Sequence, residues 1–302
     1  MPKSFGLNRW PGLWSILTPT FVAFVAVVVI SGGTAVSIRF SYAELPTFWG
    51  AALRFGPAAI ILWVLLAFRK GTLPRGRALL ACLLFGILGG VGAKVLIYWG
   101  LEKTPASLHS IVLSVVPLLT LFFAFFHRLE TINLRNLISA LVASCGIAIA
   151  FSGTVSGDVS VIRLLALVLA AACMAEATVI MKQFPKLDPI AVSAISTTIA
   201  TVMIIGVSLL SGETWVLPST ASMWWIIAYL AIGTSVLGFL LYLYVLKRWT
   251  ASSTSYINVL IPLITVVLAT SLVGERITWL FVLGGSLVLV GVWFGALTAR
   301  RN

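Results

Sequence analysis

Two stretches of this chain decide its fold, because they repeat each other. Residues 117–130 read PLLTLFFAFFHRLE, and residues 262–275 read PLITVVLATSLVGE. At one constant offset the two prolines coincide and so do the two closing glutamates. In each stretch a proline opens an apolar run and a glutamate ends it. This pattern predicts an internal duplication.

The repeat extends well beyond these stretches. Gly146 falls on Gly291 at the same offset, and a slightly shorter offset places Pro46 on Pro189. The chain therefore divides into two related units, for which we predict the bounds 14–152 and 161–298.

The composition indicates that both units lie in a membrane. Of the 302 residues, 60% are hydrophobic and only 9% are charged, whereas soluble domains are about 25% charged. Continuous apolar runs of about 20 residues span a bilayer as helices, and strands of a barrel would be shorter and would alternate. We predict an all-α membrane protein with ten transmembrane helices, over residues 14–40, 46–68, 77–100, 104–127, 133–152, 161–182, 189–210, 222–246, 251–272 and 277–298.

The charged residues predict the orientation of these helices. Lys and Arg cluster in alternate loops, and most acids lie in the others, among them Glu44, Glu102, Asp158, Glu213 and Glu275. Basic loops face the cytoplasm, so both termini are expected there, with the chain a multi-pass protein of an inner (plasma) membrane. Five helices per unit is an odd number, so the second unit is inverted relative to the first.

The same features disfavour several classes of function. The net charge of +12 is spread over loops between apolar runs, so a nucleic-acid partner is not expected. The three cysteines lie singly in apolar runs, and no cluster of acids and histidines indicates a catalytic or metal site. We expect no enzyme activity and no cofactor, and without an ATP-binding motif any transport is driven by gradients. Inverted repeats are typical of carriers that hold a small-molecule substrate near the midplane and work by alternating access.

The doubled motifs resemble the drug/metabolite transporter superfamily, in particular its EamA family. The matching elements are Tyr98-Trp99-Gly100 with Thr104-Pro105 in the first half, Tyr244-Val245-Leu246 with Thr250-Ala251 in the second, and the two Pro-to-Glu stretches. The resemblance implies that helices one, three, four, six, eight and nine line the cavity. It also implies export of small metabolites from a bacterial cell, with amino-acid exporters of the YddG type, which carry aromatic amino acids, as the comparison. The alternative is a multidrug exporter of hydrophobic cations.

Ionisable groups inside a membrane are costly and usually face a cavity, which makes them candidate site residues. Lys94 lies about 9 Å inside its helix end, at ~1.5 Å per residue, and Tyr98 is one turn away on the same face. With Trp99 they suit a substrate that has a carboxylate and an apolar body. The alternative is that Lys94 extends outward to the lipid headgroups.

Other polar residues within the spans have open roles. Glu176 is predicted to bind a substrate ammonium group, to carry a proton, or to form a structural hydrogen bond. His109 and Asn258 are further candidates for substrate contact, and a hydrogen-bonded packing role is the alternative for His109. Arg54 is expected to be structural, either pairing with Glu44 or extending outward, with substrate contact as the alternative. His127 is expected to anchor a helix end at the interface.

Two prolines and two glycine motifs complete the predictions. Pro117 and Pro262 remove backbone donors inside their helices and are predicted to act as kinks or hinges. Gly86-xxx-Gly90 and Gly291-xxx-Gly295 allow close approach of helices. They are expected to pack within a monomer or to form the seam of a weak dimer, with membrane lipid as the surrounding partner.

Overall fold

The computed structural model describes residues 18–101, 112–152, 160–184, 186–273 and 278–297. All regular secondary structure in these ranges is helical. The helices of the first half are α1 (Pro19–Gly32, continuing as Thr34–Ser41), α2 (Thr47–Phe68), α3 (Arg77–Phe85, Gly86–Gly92 and Ala93–Leu101), α4 (Val116–Phe126) and α5 (Leu134–Phe151). Those of the second half are α6 (Val161–Lys182), α7 (Pro189–Leu210), α8 (Ala221–Ala228, Tyr229–Gly238 and Phe239–Arg248), α9 (Ala251–Ser255 and Ile257–Val273) and α10 (Trp279–Val292 and Trp293–Leu297).

Nine helices in the described ranges are long and apolar enough to cross a membrane. The predicted span 104–127 is represented there by the shorter apolar helix Val116–Phe126, and residues 102–111 lie outside the described part of the chain. The prediction of a helical membrane protein is therefore confirmed, with nine spans of sufficient length in these ranges.

Many of these helices begin at a capping side chain, which accepts a hydrogen bond from a backbone N–H that has no partner inside the helix. Thr18 accepts from Phe21 before α1, and Asp188 accepts from Ile190 before α7. Both caps precede a proline at the first helical position, where the missing N–H costs nothing. Similar caps stand before α5, α8, α9 and α10, at Asn133, Thr220, Thr250 and Thr278.

The two halves pack through helices at equivalent places in the repeat. α2 packs along α7, and α5 packs along α10. Glycines allow the second contact, since a methyl group at Gly146 would meet the carbonyl oxygen of Gly284 at 2.7 Å, and one at Gly291 would meet that of Ser139 at 2.7 Å.

The other glycine motif also packs inside the chain. A methyl group at Gly86 would lie 2.9 Å from the Cα atom of Ser196 in α7, and one at Gly90 would lie 3.2 Å from the side chain of Ala200. Gly295 packs against Tyr256 of α9. The glycines of both motifs therefore serve contacts between helices of one chain.

The ends of the helices define two faces of the molecule. We call the face with Lys70, Arg128, Lys182 and Arg248 the basic face, and the face with Glu44 and Glu213 the acidic face. At the acidic face Glu213 accepts hydrogen bonds from the backbone N–H groups of Phe48 (3.0 Å) and Trp49 (2.7 Å), in the first turn of α2. This carboxylate caps a helix whose own N-cap residue, Pro46, has no capping side chain.

Three helices in the described ranges carry π-helical segments, and two of these segments lie at corresponding positions of the repeat. Gly86–Gly92 lies in α3, and Tyr229–Gly238 lies in α8. The offset that joins Pro117 to Pro262 maps the first segment onto residues 231–237, which fall inside the second. Short π-helical segments within α-helices are frequent at functional sites.

Candidate functional site

The segment of α3 that follows its π-helix carries a cation and an aromatic side chain on one face. Lys94 and Tyr98 lie one helical turn apart in Ala93–Leu101. Tyr98 is 4% exposed and packs in an apolar cluster with Phe55 of α2 and Val91 of α3. Lys94 is partly buried and is not hydrogen-bonded to any described residue. An amine with three donors and no acceptor among the described residues is available to bind another group.

Arg54 of α2 reaches the same region from a second helix. Its side chain is 6% exposed, and its Nε atom donates a hydrogen bond of 2.8 Å to the hydroxyl oxygen of Ser235. Ser235 lies in the π-helical segment of α8, and its own hydroxyl donates to the carbonyl of Leu230 at 3.0 Å. The guanidinium also lies beside the Tyr98 hydroxyl. We call Arg54, Lys94, Tyr98 and Ser235 the cationic cluster.

The expectation that Arg54 pairs with Glu44 or extends outward is wrong. Glu44 instead accepts hydrogen bonds from Ser219 and Thr220 at the start of α8. Arg54 lies about 10 Å into its helix from Thr47, at ~1.5 Å per residue, and the Ser235 hydroxyl holds it inside the bundle. The depth of Arg54 in its predicted span could have indicated this position from the sequence, because a guanidinium so far from either helix end needs a buried partner.

Among the described residues, two like charges and no acid meet in the cationic cluster. The charges of Arg54 and Lys94 are close enough to act on each other. The five acids in the described ranges all hydrogen-bond elsewhere: Glu44 to Ser219 and Thr220, Glu130 to Ser252, Glu176 to His127, Asp188 to Ile190, and Glu213 to Phe48 and Trp49. The cluster is therefore a site of positive charge with unused donors.

A second tyrosine connects this region to α1. The Tyr229 hydroxyl in the π-helical segment of α8 donates a hydrogen bond to the carbonyl oxygen of Ile30. A side chain at Gly33 would collide with this hydroxyl. Tyr229 also lies within electrostatic range of Arg54. Ser235 and Tyr229 could not be singled out from the sequence, since neither stands out in an apolar helix without its neighbours.

Trp99 lies beyond Tyr98 and has a partner of its own. Arg163 at the start of α6 donates a hydrogen bond to the Trp99 carbonyl oxygen, and its guanidinium lies 4.8 Å from the centre of the indole ring. The cation holds Trp99 between α3 and α6. In the described ranges, Trp99 makes no hydrogen bond and no ring contact with the residues of the cationic cluster.

Glu176 lies in a separate group of polar residues. The Nε2 atom of His127 in the turn after α4 is 2.8 Å from the Glu176 carboxylate, and the Gln183 amide is 2.8 Å from the other ring nitrogen. The His127 and Glu176 side chains are 35% and 26% exposed. His127 is thus bonded to α6 and is more than the interface anchor we expected. Glu176 has this protein partner, and the structure does not bring it to Lys94.

The helices are tied together at the basic face. The Glu130 carboxylate after α4 accepts hydrogen bonds from the Ser252 backbone N–H (3.1 Å) and hydroxyl (2.6 Å) at the start of α9. The Lys182 amine donates to the carbonyls of Leu246 (2.7 Å) and Trp249 (2.6 Å). Because Glu130 and His127 belong to the first half and bond to the second, these contacts connect the two halves.

The remaining predicted residues lie outside the cationic cluster. The Asn258 amide donates to the Ser255 carbonyl at 3.2 Å, across the break in α9 at Tyr256. Pro262 lies within the helix Ile257–Val273, and Pro117 stands at the start of α4, directly after a turn at Ser114 and Val115. His109 lies outside the described residues. The turn at Ser114 and Val115 thus precedes Pro117, and the break at Tyr256 precedes Pro262. The substrate contacts and hinge roles predicted for these residues remain predictions.

The chain is similar to known proteins over nearly its whole length. The model of the EamA-like transporter family matches it twice, over residues 18–152 and 161–296. The uncharacterised transporter YyaM of Bacillus subtilis is 25% identical, covering 90% of this chain and 92% of that protein. The uncharacterised inner membrane transporter YedA of Escherichia coli is 28% identical over 87% of each.

A solved crystal structure supports the fold. It aligns with a TM-score of 0.81 at 19% sequence identity and covers 93% of this chain and 98% of its own. At that identity the likeness concerns the fold alone. The doubled match of the family model agrees with the repeat indicated by the two Pro-to-Glu stretches, and its two ranges cover the helices described above as far as residue 296. The chain belongs to the EamA-like transporter family.

Proposed function

We propose that this protein is a secondary transporter that exports amino acids or related carboxylate-bearing metabolites by alternating access. The observation that carries the proposal is the pair of cations, Arg54 and Lys94, placed among α2, α3 and α8 without a described counter-ion. A substrate carboxylate would supply that charge. Charge-assisted hydrogen bonds of this kind are about twice as strong as neutral ones.

The surroundings of the cluster suit the rest of an amino acid. Phe55, Val91 and the ring of Tyr98 form an apolar wall beside the two cations. An apolar or aromatic side chain can pack on such a wall while its carboxylate binds the charges. A hydrophobic cation would meet the same wall but would be repelled by both fixed charges, which disfavours the multidrug alternative.

The contacts between the halves support a carrier mechanism. Glu130 bonds to Ser252, and His127 bonds to Glu176, at one face of the bundle. Both are polar contacts that can break and reform without unpacking an apolar core. In this proposal the basic face is cytoplasmic, the protein lies in a bacterial inner membrane, and the contacts close the cytoplasmic side.

The test is counterflow in proteoliposomes that contain only the purified protein. Vesicles are loaded with unlabelled phenylalanine, leucine or glutamate, and entry of the labelled compound is followed with and without a pH gradient. We expect saturable counterflow that Lys94→Ala reduces at least tenfold, while Arg248→Ala, an exposed cation at the basic face, leaves it unchanged. Transport of tetraphenylphosphonium with no counterflow of any amino acid would overturn the proposal.

A further inference from the structure

The cationic cluster holds two cations, the buried Arg54 and the partly buried Lys94, and a single carboxylate neutralises only one of these charges. The Arg54 guanidinium has five N–H donors, of which one is bonded to Ser235. The Lys94 amine has three donors and no described acceptor. A buried charge without a counter-charge is strongly unfavourable. A zwitterion with one carboxylate adds no net charge and leaves the pair of charges only partly neutralised.

The charges are not a requirement of the fold. The repeat places Thr197 at the position equivalent to Arg54, at the offset that joins Pro46 to Pro189. It places Leu240 at the position equivalent to Lys94 and Tyr244 at that of Tyr98, at the offset that joins the matching elements Tyr98-Trp99-Gly100 and Tyr244-Val245-Leu246. The second half thus builds the same helices with uncharged residues. Thr197 is 1% exposed, and its hydroxyl has no partner in the described ranges.

Only the first half carries charges at these equivalent positions, and this difference between the halves indicates that the two cations serve to bind a ligand. The equivalent positions of the second half, Thr197 and Leu240, carry no charge, so the repeat does not by itself require Arg54 and Lys94. Burial of the Arg54 charge is costly. Arg54 is moreover oriented by a hydroxyl from another helix, with a second hydrogen bond fixing that hydroxyl to Leu230. Such support is expected where a guanidinium must present its remaining donors in one direction.

We infer that the substrate of the cationic cluster carries two anionic groups, one bound by Arg54 and the other by Lys94. The chemical class is a small dicarboxylate, including the acidic amino acids. The planar guanidinium suits two-point binding of one carboxylate, and the compact amine suits the second as a point charge. The inference rests on the proposed carrier function and narrows its substrate class.

The test compares ligands that differ only in the number of carboxylates. Binding of glutarate, glutamate, glutamine and phenylalanine to the full purified chain is measured by isothermal titration calorimetry, and counterflow of each is measured in proteoliposomes. We expect glutarate and glutamate to bind at least tenfold more tightly than glutamine, which replaces one carboxylate by an amide at nearly equal size.

Single-charge variants make the test independent of folding. In Arg54→Gln and Lys94→Gln one cation remains, so we expect the advantage of glutamate over glutamine to fall to about threefold or less while glutamine still binds. Retained glutamine binding shows that the variant is folded. The double variant should lose both ligands, and Arg248→Gln at the exposed basic face should keep the preference of the natural chain.

The outcomes separate this inference from the proposed function. Equal binding of glutamate and glutamine by the natural chain would overturn the inference and leave amino-acid export standing. Counterflow of phenylalanine that depends on Lys94 and is not inhibited by glutarate would also overturn the inference of a dicarboxylate substrate and leave amino-acid export standing. Absence of binding and counterflow for every carboxylate would overturn both.

Discussion

The carboxylate of Glu130 receives two hydrogen bonds from Ser252, one from its backbone N–H at 3.1 Å and one from its hydroxyl at 2.6 Å. The first residue follows α4 in the first half, and the second lies in the opening turn of α9 in the second half. A carboxylate at a helix N-terminus is stabilised both by the N–H groups and by the helix dipole. This contact therefore holds the halves together at the basic face by charge and not by packing.

We predict that Glu130→Gln opens the basic face. The charge-assisted hydrogen bonds are worth about 1.5–3 kcal/mol, enough to change a conformational equilibrium about tenfold or more. Ser255, at 0% exposure, reports on this opening. In a chain with the three native cysteines replaced by Ala, maleimide labelling of Ser255→Cys should accelerate several-fold with Glu130→Gln. Glu44→Gln, which removes a carboxylate from the acidic face, is the matched control, and equal acceleration there would contradict the prediction.

Ser235 is expected to act as a positioning residue through Arg54. Ser235→Ala removes the acceptor at 2.8 Å from Arg54 Nε, and a hydrogen bond that involves a charged group is worth about 1.5–3 kcal/mol. We predict a KM for transport that rises about tenfold or more with an unchanged maximal rate, and recovery in Ser235→Thr, which keeps a hydroxyl.

The neighbouring Thr234 supplies the control for that measurement. Its hydroxyl lies in the same π-helical segment and donates only to the Leu230 carbonyl, at 2.7 Å. Thr234→Ala therefore tests loss of a buried hydroxyl without loss of the Arg54 contact. A similar rise in KM for both alanine variants would show a general effect on α8.

The acidic face should show a stability that depends on pH through Glu44. The Thr220 hydroxyl, followed by smaller contributions from Ser219, lowers the pKa of Glu44 below its ordinary value of 4.5. A lowered pKa in the folded chain means that the carboxylate stabilises the fold above pH 4.5 and that this stabilisation is lost as the pH falls below that value. The melting temperature in detergent should therefore fall on acidification from pH 5 to 3.5 by more in the natural chain than in Glu44→Gln. Parallel curves would exclude a contribution from Glu44.

Glycine at position 284 is expected to be irreplaceable, whereas glycine at position 206 is not. A methyl group at Gly284 would overlap the Gly146 carbonyl oxygen and would lie 2.5 Å from the Ala150 backbone nitrogen, and neither backbone atom can move aside. Gly284→Ala should lower the melting temperature strongly or prevent purification of folded protein. Nothing lies within 4 Å of a methyl group at Gly206, so Gly206→Ala should stabilise the chain by up to about 1 kcal/mol through helix propensity. Similar behaviour of the two variants in thermal unfolding would contradict the packing of α5 on α10.

The large-scale fold could be predicted because its signals are local and repeated. Each apolar run defines one helix, and the two Pro-to-Glu stretches reveal the duplication without any tertiary information. The association of Lys94 with Tyr98 was equally accessible, since residues four apart share a face of a helix.

The role of Arg54 was not accessible in the same way. Whether an arginine in the middle of a helix faces lipid or protein depends on the rotation of that helix against its neighbours. Here α7 and α8 fix that rotation, and Ser235 supplies the partner from a residue far away in the sequence. The pairing of His127 with Glu176 escaped prediction for the same reason, because each residue alone resembles an ordinary helix-end or buried polar group.

The π-helical segment of α3 has a consequence for the register of the whole helix. Adding or removing one residue in an α-helix turns everything that follows by about 100°. A single deletion within Gly86–Gly92 that restored regular α-helix would therefore rotate Lys94 and Tyr98 together away from Arg54, without altering any side chain. The position of Lys94 beside Arg54 therefore depends on the length of this glycine-rich segment as well as on the two charged residues themselves.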